Sequence, residues 1–292
     1  MSYRSRVYRQ RNTNSPEISE KKEPFFTPQR KIINPQNSLT ISRKEDKRVT
    51  TQKKFDIQIE KGDKDWSGPE LELLYGALGR LSDAEGKVLR KYRFVRWSNK
   101  SNRAKLDPDY IDPGTTECGL HEMDLKKKLF RISLYDECFK DPEATSQSMA
   151  GIDPGMFSIL HEIGHATEKA ELRNKTEAYK EGNKKYNDAV NAYNKASEAD
   201  QKKLKPAAEK LEKEDTQKEQ EMNQAPGSSL KAFEKVVTGK EPLTEYAKEN
   251  MQEAYAEAFA IYKADPKGLE KKNKNLFDWF KAGGYINTVP KK

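Results

Sequence analysis

The stretch Asp153-Pro-Gly-Met-Phe-Ser-Ile-Leu-His-Glu-Ile-Gly-His-Ala166 has the pattern of an amphipathic helix, and it decides the fold prediction. Asp153 can cap the N-terminus of this helix, and Pro154 suits its first position. The apolar residues recur at helical spacing, at Met156, Ile159, Leu160, Ile163 and Ala166. We therefore predict a helix that presents His161-Glu-Ile-Gly-His165 with one side buried.

The HExxH spacing in this helix predicts a metal site. His161 and His165 are four residues apart, so they lie on one face, one turn apart, and can bind a single zinc ion. Glu162 lies about 100° away around the helix, where its carboxylate can take a proton from a water molecule. Gly164 leaves room for another element to approach. The apolar flanks argue against a surface helix whose histidines bind nothing.

A catalytic zinc usually has three protein ligands, so a third is expected elsewhere in the chain. His121 is the only other histidine, and a carboxylate is favoured over it. Glu253 and Glu257 lie on one face of a predicted helix at residues 250–263, and acids on a largely buried helix need a partner. Glu253 could instead form a capping box with Asn250, and Glu257 could instead face solvent.

The charge of the chain is concentrated at its N-terminus. Residues 1–54 hold 14 of the 55 Lys and Arg but 5 of the 47 Asp and Glu, which gives this segment a net charge of +9 and leaves the rest near neutrality. Its composition predicts a disordered basic tail. No recognisable nucleic-acid motif accompanies it, and no stretch is apolar enough to span a membrane. The Phe25-Phe26 pair is either a short docking element or a chance apolar pair.

The remaining segments predict an α+β domain at residues 55–290. Periodicity predicts helices at 69–81, 250–263 and 276–280 and strands at 91–97 and 129–135. Residues 170–228 are highly charged, with a weak heptad of Tyr179, Tyr186 and Tyr193, and predict a long inserted helical hairpin. Pro206 and Ala225-Pro-Gly-Ser-Ser229 are expected to interrupt or end it. A partly disordered linker is the alternative. Cys118 and Cys138 are expected to be free thiols.

Two segments resemble the gluzincin metallopeptidases, and most closely the bacterial toxin peptidases related to the catalytic domain of anthrax lethal factor. These segments are Phe157-Ser-Ile-Leu-His-Glu-Ile-Gly-His-Ala166 and Thr244-Glu-Tyr-Ala-Lys-Glu-Asn-Met-Gln-Glu-Ala-Tyr-Ala-Glu-Ala-Phe259. The resemblance implies that Glu253 is the third zinc ligand, that Tyr246 stabilises the oxyanion and that Glu257 supports the ligands. It also implies a zincin-like fold with a twisted sheet, in which the strand at 129–135 is the edge strand that pairs with substrate.

The segment Lys22-Glu-Pro-Phe-Phe-Thr-Pro28 resembles the start of peptidase cargo of bacterial extracellular contractile injection systems. The resulting hypothesis is a zinc metalloendopeptidase, a toxin or effector that cleaves a target-cell protein. It would be made in the bacterial cytoplasm without a signal peptide and loaded into an injection-system tube through its tail. The alternatives are a catalytically silent zinc-binding cargo or interaction protein, and a nucleic-acid binder that acts through the tail.

Overall fold

The computed structural model describes residues 35–111, 118–125, 127–139, 152–224 and 228–285. Within these residues the chain is a mixed α+β structure with one small sheet. The strands are β1 (Gln58–Lys61), β2 (Arg93–Arg96), β3 (Gly119–Asp124) and β4 (Leu129–Leu134). The helices are α1 (Pro35–Phe55), α2 (Gly68–Gly79), α3 (Asp83–Val88), α4 (Lys100–Leu106), α5 (Pro154–Glu168), α6 (Ala170–Lys195), α7 (Glu198–Gln224), α8 (Ser228–Val237), α9 (Met251–Ala264), α10 (Pro266–Lys272) and α11 (Lys274–Lys281).

The four strands are ordered β1-β2-β4-β3. β1, β2 and β4 are parallel, and β3 runs antiparallel to β4 at the edge. The predicted strand at 129–135 is therefore confirmed as a strand, but its predicted position at the edge is wrong. β4 lies between β2 and β3 and is buried along most of its length. The edge strand beside the helix of the HExxH motif is β3.

α5 begins as its sequence predicts and packs against the sheet, α2 and α9. The side chain of Asp153 accepts a hydrogen bond from the backbone N–H of Met156, and Pro154 occupies the first turn. α9 begins with Asn250, whose side chain caps the backbone N–H of Glu253. The carboxylate of Glu253 does not complete a capping box, so it is available for other contacts.

The crossing of α5 and α9 depends on Gly164. A Cβ atom at this position would lie 2.9 Å from the Cα of Ala256, which is backbone and cannot swing aside. The missing side chain thus lets the helix that carries the two histidines approach the helix that carries Glu253. The sequence prediction that Gly164 makes room for another element is confirmed.

We expect Gly164→Ala to lower the free energy of unfolding by about 1–3 kcal/mol, since an added methyl group would overpack this crossing. Thermal unfolding measured by circular dichroism would reveal the loss. Gly86→Ala is the control, because nothing lies within 4 Å of a Cβ atom there. Equal stability of the two variants would show that the crossing tolerates a wider separation.

The predicted hairpin is present as α6 and α7, which pack against each other along their lengths. The first turns of α6 are buried against the body, and most of the rest of the hairpin is exposed or half-buried. The break between the helices lies at residues 196–197, immediately before α7. The prediction that Pro206 interrupts or ends the hairpin is wrong, because Pro206 lies within α7.

The predicted disordered tail requires a correction at its C-terminal end. Residues 35–54 belong to α1, which packs on α2, and Thr51 in this helix is fully buried. Residues 1–34, with the Phe25-Phe26 pair, lie outside the described residues. Within the described residues both cysteines are free thiols, as predicted, and no helix combines the length and apolarity needed to cross a membrane.

Candidate metal centre

Two neighbouring helices bring two imidazoles and one carboxylate together. Nε2 of His161 lies 3.1 Å from Nε2 of His165 and 3.0 Å from Oε2 of Glu253. The third distance, from His165 Nε2 to the same oxygen, is 3.3 Å. Ligand atoms at the corners of a tetrahedron with bonds of about 2.0–2.1 Å lie about 3.3 Å apart. The three atoms therefore have the spacing of a metal-binding group, and this group could hold a metal ion.

The chemistry of the donor atoms also fits a cation. Oε2 of Glu253 is buried, and the two imidazole nitrogens lie 3.0 and 3.3 Å from it. Burial alone would raise the pKa of this carboxyl group, but contacts with His161 and His165 outweigh burial and hold the pKa well below its usual value. Glu253 is therefore ionised at neutral pH, as a metal ligand must be.

Glu257 contacts the ring of His161 on the side away from Nε2. Its Oε1 lies 2.9 Å from Nδ1 of His161, so an Nδ1–H group can donate to it and leave Nε2 free to bind a metal. Burial would lower the pKa of His161, but the carboxylates of Glu253 and Glu257 raise it well above its usual value. The site thus holds an excess of negative charge that a divalent cation would neutralise.

Glu162 lies beside this group, on the wall of a cleft that His161, His165 and Glu253 also line. It is 5 % exposed, and its carboxylate packs against the edge strand at Gly119. A Cβ atom at Gly119 would lie 2.5 Å from Oε1 of Glu162, so only glycine leaves this carboxylate in place. The sequence prediction did not include Gly119, since no local pattern marks a glycine whose neighbour comes from a distant helix.

The cleft has a volume of about 250 Å³. Tyr246, in a single 3-10 turn before α9, lines it, and its ring centroid is 5.8 Å from that of His161. All five residues predicted to act in catalysis or metal binding therefore lie at one cleft. The other lining residues are Leu120, His121, Lys169, Asn250 and Gln252.

His121 lies at the cleft but outside the group of potential ligand atoms. Among the described residues, that group contains only His161, His165 and Glu253. Nε2 of His121 lies 3.0 Å from the hydroxyl group of Tyr92 instead. The preference for a carboxylate over His121 as third ligand agrees with this geometry.

Comparison with protein-family models, with curated protein sequences and with solved structures finds no match to this chain.

Proposed function

We propose that the chain is a zinc-dependent metalloendopeptidase. The observation that carries this proposal is the convergence of His161, His165 and Glu253 on one point, with Glu162 and Tyr246 on the walls of the same cleft. Two imidazoles and one carboxylate form a ligand set that catalytic zinc sites use, with one position left for water or substrate. Bound there, zinc would polarise a peptide carbonyl group and lower the pKa of a water molecule to about 7.

The protein side chains then have separate tasks. Glu162 acts as the general base, takes a proton from the attacking water and later delivers it to the leaving amine. Tyr246 donates a hydrogen bond to the carbonyl oxygen as negative charge develops on it. Glu257 fixes the ring of His161 through Nδ1 and makes its Nε2 a better ligand. Gly119 keeps the carboxylate of Glu162 at the cleft.

The edge strand supports a peptide as substrate. β3 runs along the cleft, and no strand within the described residues pairs with its outer edge. An extended peptide can add to such an edge through backbone hydrogen bonds. Leu120 and His121, in the first half of β3, line the cleft, so a peptide along the whole strand would pass the site. This arrangement favours cleavage at internal bonds of a protein.

The biological setting extends this proposal. We propose that the protein is a bacterial toxin or effector that cleaves a target-cell protein, and that its basic tail serves loading into an injection system. The support is the resemblance of the two site segments to toxin peptidases and of residues 22–28 to injection-system cargo. The described residues do not include that tail segment.

Removing the metal tests the proposal directly. We expect 1,10-phenanthroline to abolish cleavage of casein, and a stoichiometric amount of zinc to restore it. Magnesium should not restore it, since it prefers an octahedral set of oxygen ligands. Full cleavage by chelated protein would contradict a metal-dependent mechanism. Tight zinc binding with no cleavage of any protein would instead favour the silent zinc-binding cargo.

A further inference from the structure

His121 is a third histidine at the cleft, and the catalytic scheme above gives it no task. Its ring centroid lies 6.3 Å from that of His165, and the two rings are close to parallel, with an angle of 26°. Its ring also stacks on Tyr92, at 5.7 Å between centroids. His121 is therefore held beside the metal-binding residues without being one of them.

The hydrogen bond to Tyr92 selects one tautomer of His121. Tyr92 is fully buried, and its hydroxyl oxygen lies 3.0 Å from Nε2 of His121. A buried hydroxyl group that donates no hydrogen bond costs about 1–3 kcal/mol, so the favourable arrangement has Tyr92 donating and Nε2 accepting. The ring proton of neutral His121 then resides on Nδ1.

The Nδ1–H group is left with a free capacity to donate. Among the described residues no hydrogen bond is made by Nδ1 of His121, and the residue is half-buried at the wall of the cleft. A polar donor beside a cleft that faces a peptide-binding edge can bond to a carbonyl oxygen of the peptide. The position of His121 on β3 places it next to any peptide that pairs with this strand.

The strand itself is held firmly on its other face. Glu122, the next residue, accepts hydrogen bonds from Arg103 at 2.6 and 2.5 Å and from Arg131 at 2.8 and 2.8 Å. Both guanidinium groups are nearly inaccessible to solvent, so water competes little for these bonds. β3 and the Tyr92 hydroxyl group together fix His121 before a substrate arrives, which reduces the entropic cost of binding.

We infer that His121 is a substrate-binding residue, whose Nδ1–H group donates a hydrogen bond to a carbonyl oxygen of an extended peptide lying along β3. This inference rests on the proposed peptidase function. The role differs from those of the zinc ligands and Glu162, because it concerns the peptide and leaves the metal unaffected.

Calorimetric titration of the zinc-loaded full chain with two hydroxamates tests the inference. Acetohydroxamate can reach only the metal, whereas acetyl-Pro-Leu-Gly-hydroxamate also offers peptide carbonyl groups. We expect His121→Phe, which keeps an aromatic ring, to weaken binding of the tripeptide probe by roughly 3- to 10-fold, the value of one hydrogen bond. Zinc content and acetohydroxamate affinity should not change.

Two further variants keep the test decisive if His121→Phe fails to fold. His121→Asn places an amide donor near the position of Nδ1 and should retain most of the affinity for the tripeptide probe. Tyr92→Phe removes the hydrogen bond that selects the tautomer of His121. It should weaken binding of the tripeptide probe less than His121→Phe does. If His121→Phe bound the tripeptide probe with wild-type affinity, the inference would be overturned. If His121→Phe does not fold, unchanged affinity of Tyr92→Phe for the tripeptide probe would overturn it. So would a tripeptide probe that binds the wild-type chain no better than acetohydroxamate. If neither probe binds, the zinc peptidase proposal itself fails.

Discussion

Glu162→Gln should retain stoichiometric zinc and lose protein cleavage by about 10³-fold. Glutamine has nearly the same shape but cannot take a proton, and general acid–base catalysis contributes about 10²- to 10⁴-fold. The three potential ligand atoms belong to other residues, so metal binding should survive. Zinc content by atomic absorption and the rate of casein cleavage, measured on the same sample, would separate the two effects.

Glu181→Gln is the matched control for this variant. It makes the same chemical change on the exposed surface of α6, where Glu181 pairs with Lys185. Its cleavage rate should equal that of the wild-type chain. A Glu162→Gln protein that still cleaves at the wild-type rate would remove the general base from the proposed mechanism and point to a contaminating peptidase.

Glu253→Gln should weaken zinc binding by more than 100-fold and abolish cleavage at limiting zinc. Loss of a residue that only supports a metal ligand typically costs about 10- to 100-fold, so loss of a ligand should cost more. Glu253 Oε2 lies 3.0 Å from one imidazole nitrogen and 3.3 Å from the other, and the carboxylate is ionised because those contacts lower its pKa. Competition with a fluorescent zinc chelator would give the affinity.

Glu257→Gln measured beside Glu253→Gln distinguishes the ligand from its support. Glu257 contacts Nδ1 of His161, on the far side of the ring from the potential metal, so its loss should stay within about 10- to 100-fold. Glu249→Gln, an exposed acid in the same segment, should leave the affinity unchanged. If Glu253→Gln bound zinc as tightly as the wild-type chain, Glu257 would become the better candidate for the third ligand.

The parts of the structure that the sequence predicted well are those with local signals. α5 and α9 each have a capping side chain immediately before the helix, at Asp153 and Asn250, and an apolar stripe along it. The spacing of His161 and His165 fixes their common face whatever the rest of the fold does. Glu253 and Glu257 were singled out because acids on a buried helix need partners, and both lie next to His161.

The position of β3 at the edge of the sheet could not be predicted from local sequence patterns. Gly119-Leu-His-Glu-Met-Asp124 shows little alternation between apolar and polar residues. Glu122 can lie in this strand because arginines from α4 and β4 neutralise it. β4 is apolar and buried, yet which of the two strands lies outside depends on long-range pairing that periodicity does not encode. The contribution of Gly119 to the cleft follows from this placement and was missed for the same reason. His121 was considered as a zinc ligand, and its position at the cleft wall follows from the same strand pairing.

The helical insert and α1 show a second kind of error. A proline within a charged segment usually ends a helix, but Pro206 is in the third turn of α7, where the helix continues. The tail composition suggested disorder up to residue 54, yet α1 pairs its polar residues with α2, as Lys47 does with Glu72 at 2.6 Å. Composition describes average behaviour and does not register such specific pairs.

The most direct test of the proposed peptidase is an N-terminal labelling experiment on a target-cell lysate. Zinc-loaded wild-type chain and zinc-loaded Glu162→Gln would be incubated with equal samples, and new protein N-termini would be identified by mass spectrometry. We predict a small set of internal cleavage sites that appears with the wild-type chain, is absent with Glu162→Gln and disappears when 1,10-phenanthroline is added. Identical sets of termini from the two fully zinc-loaded proteins would contradict the account.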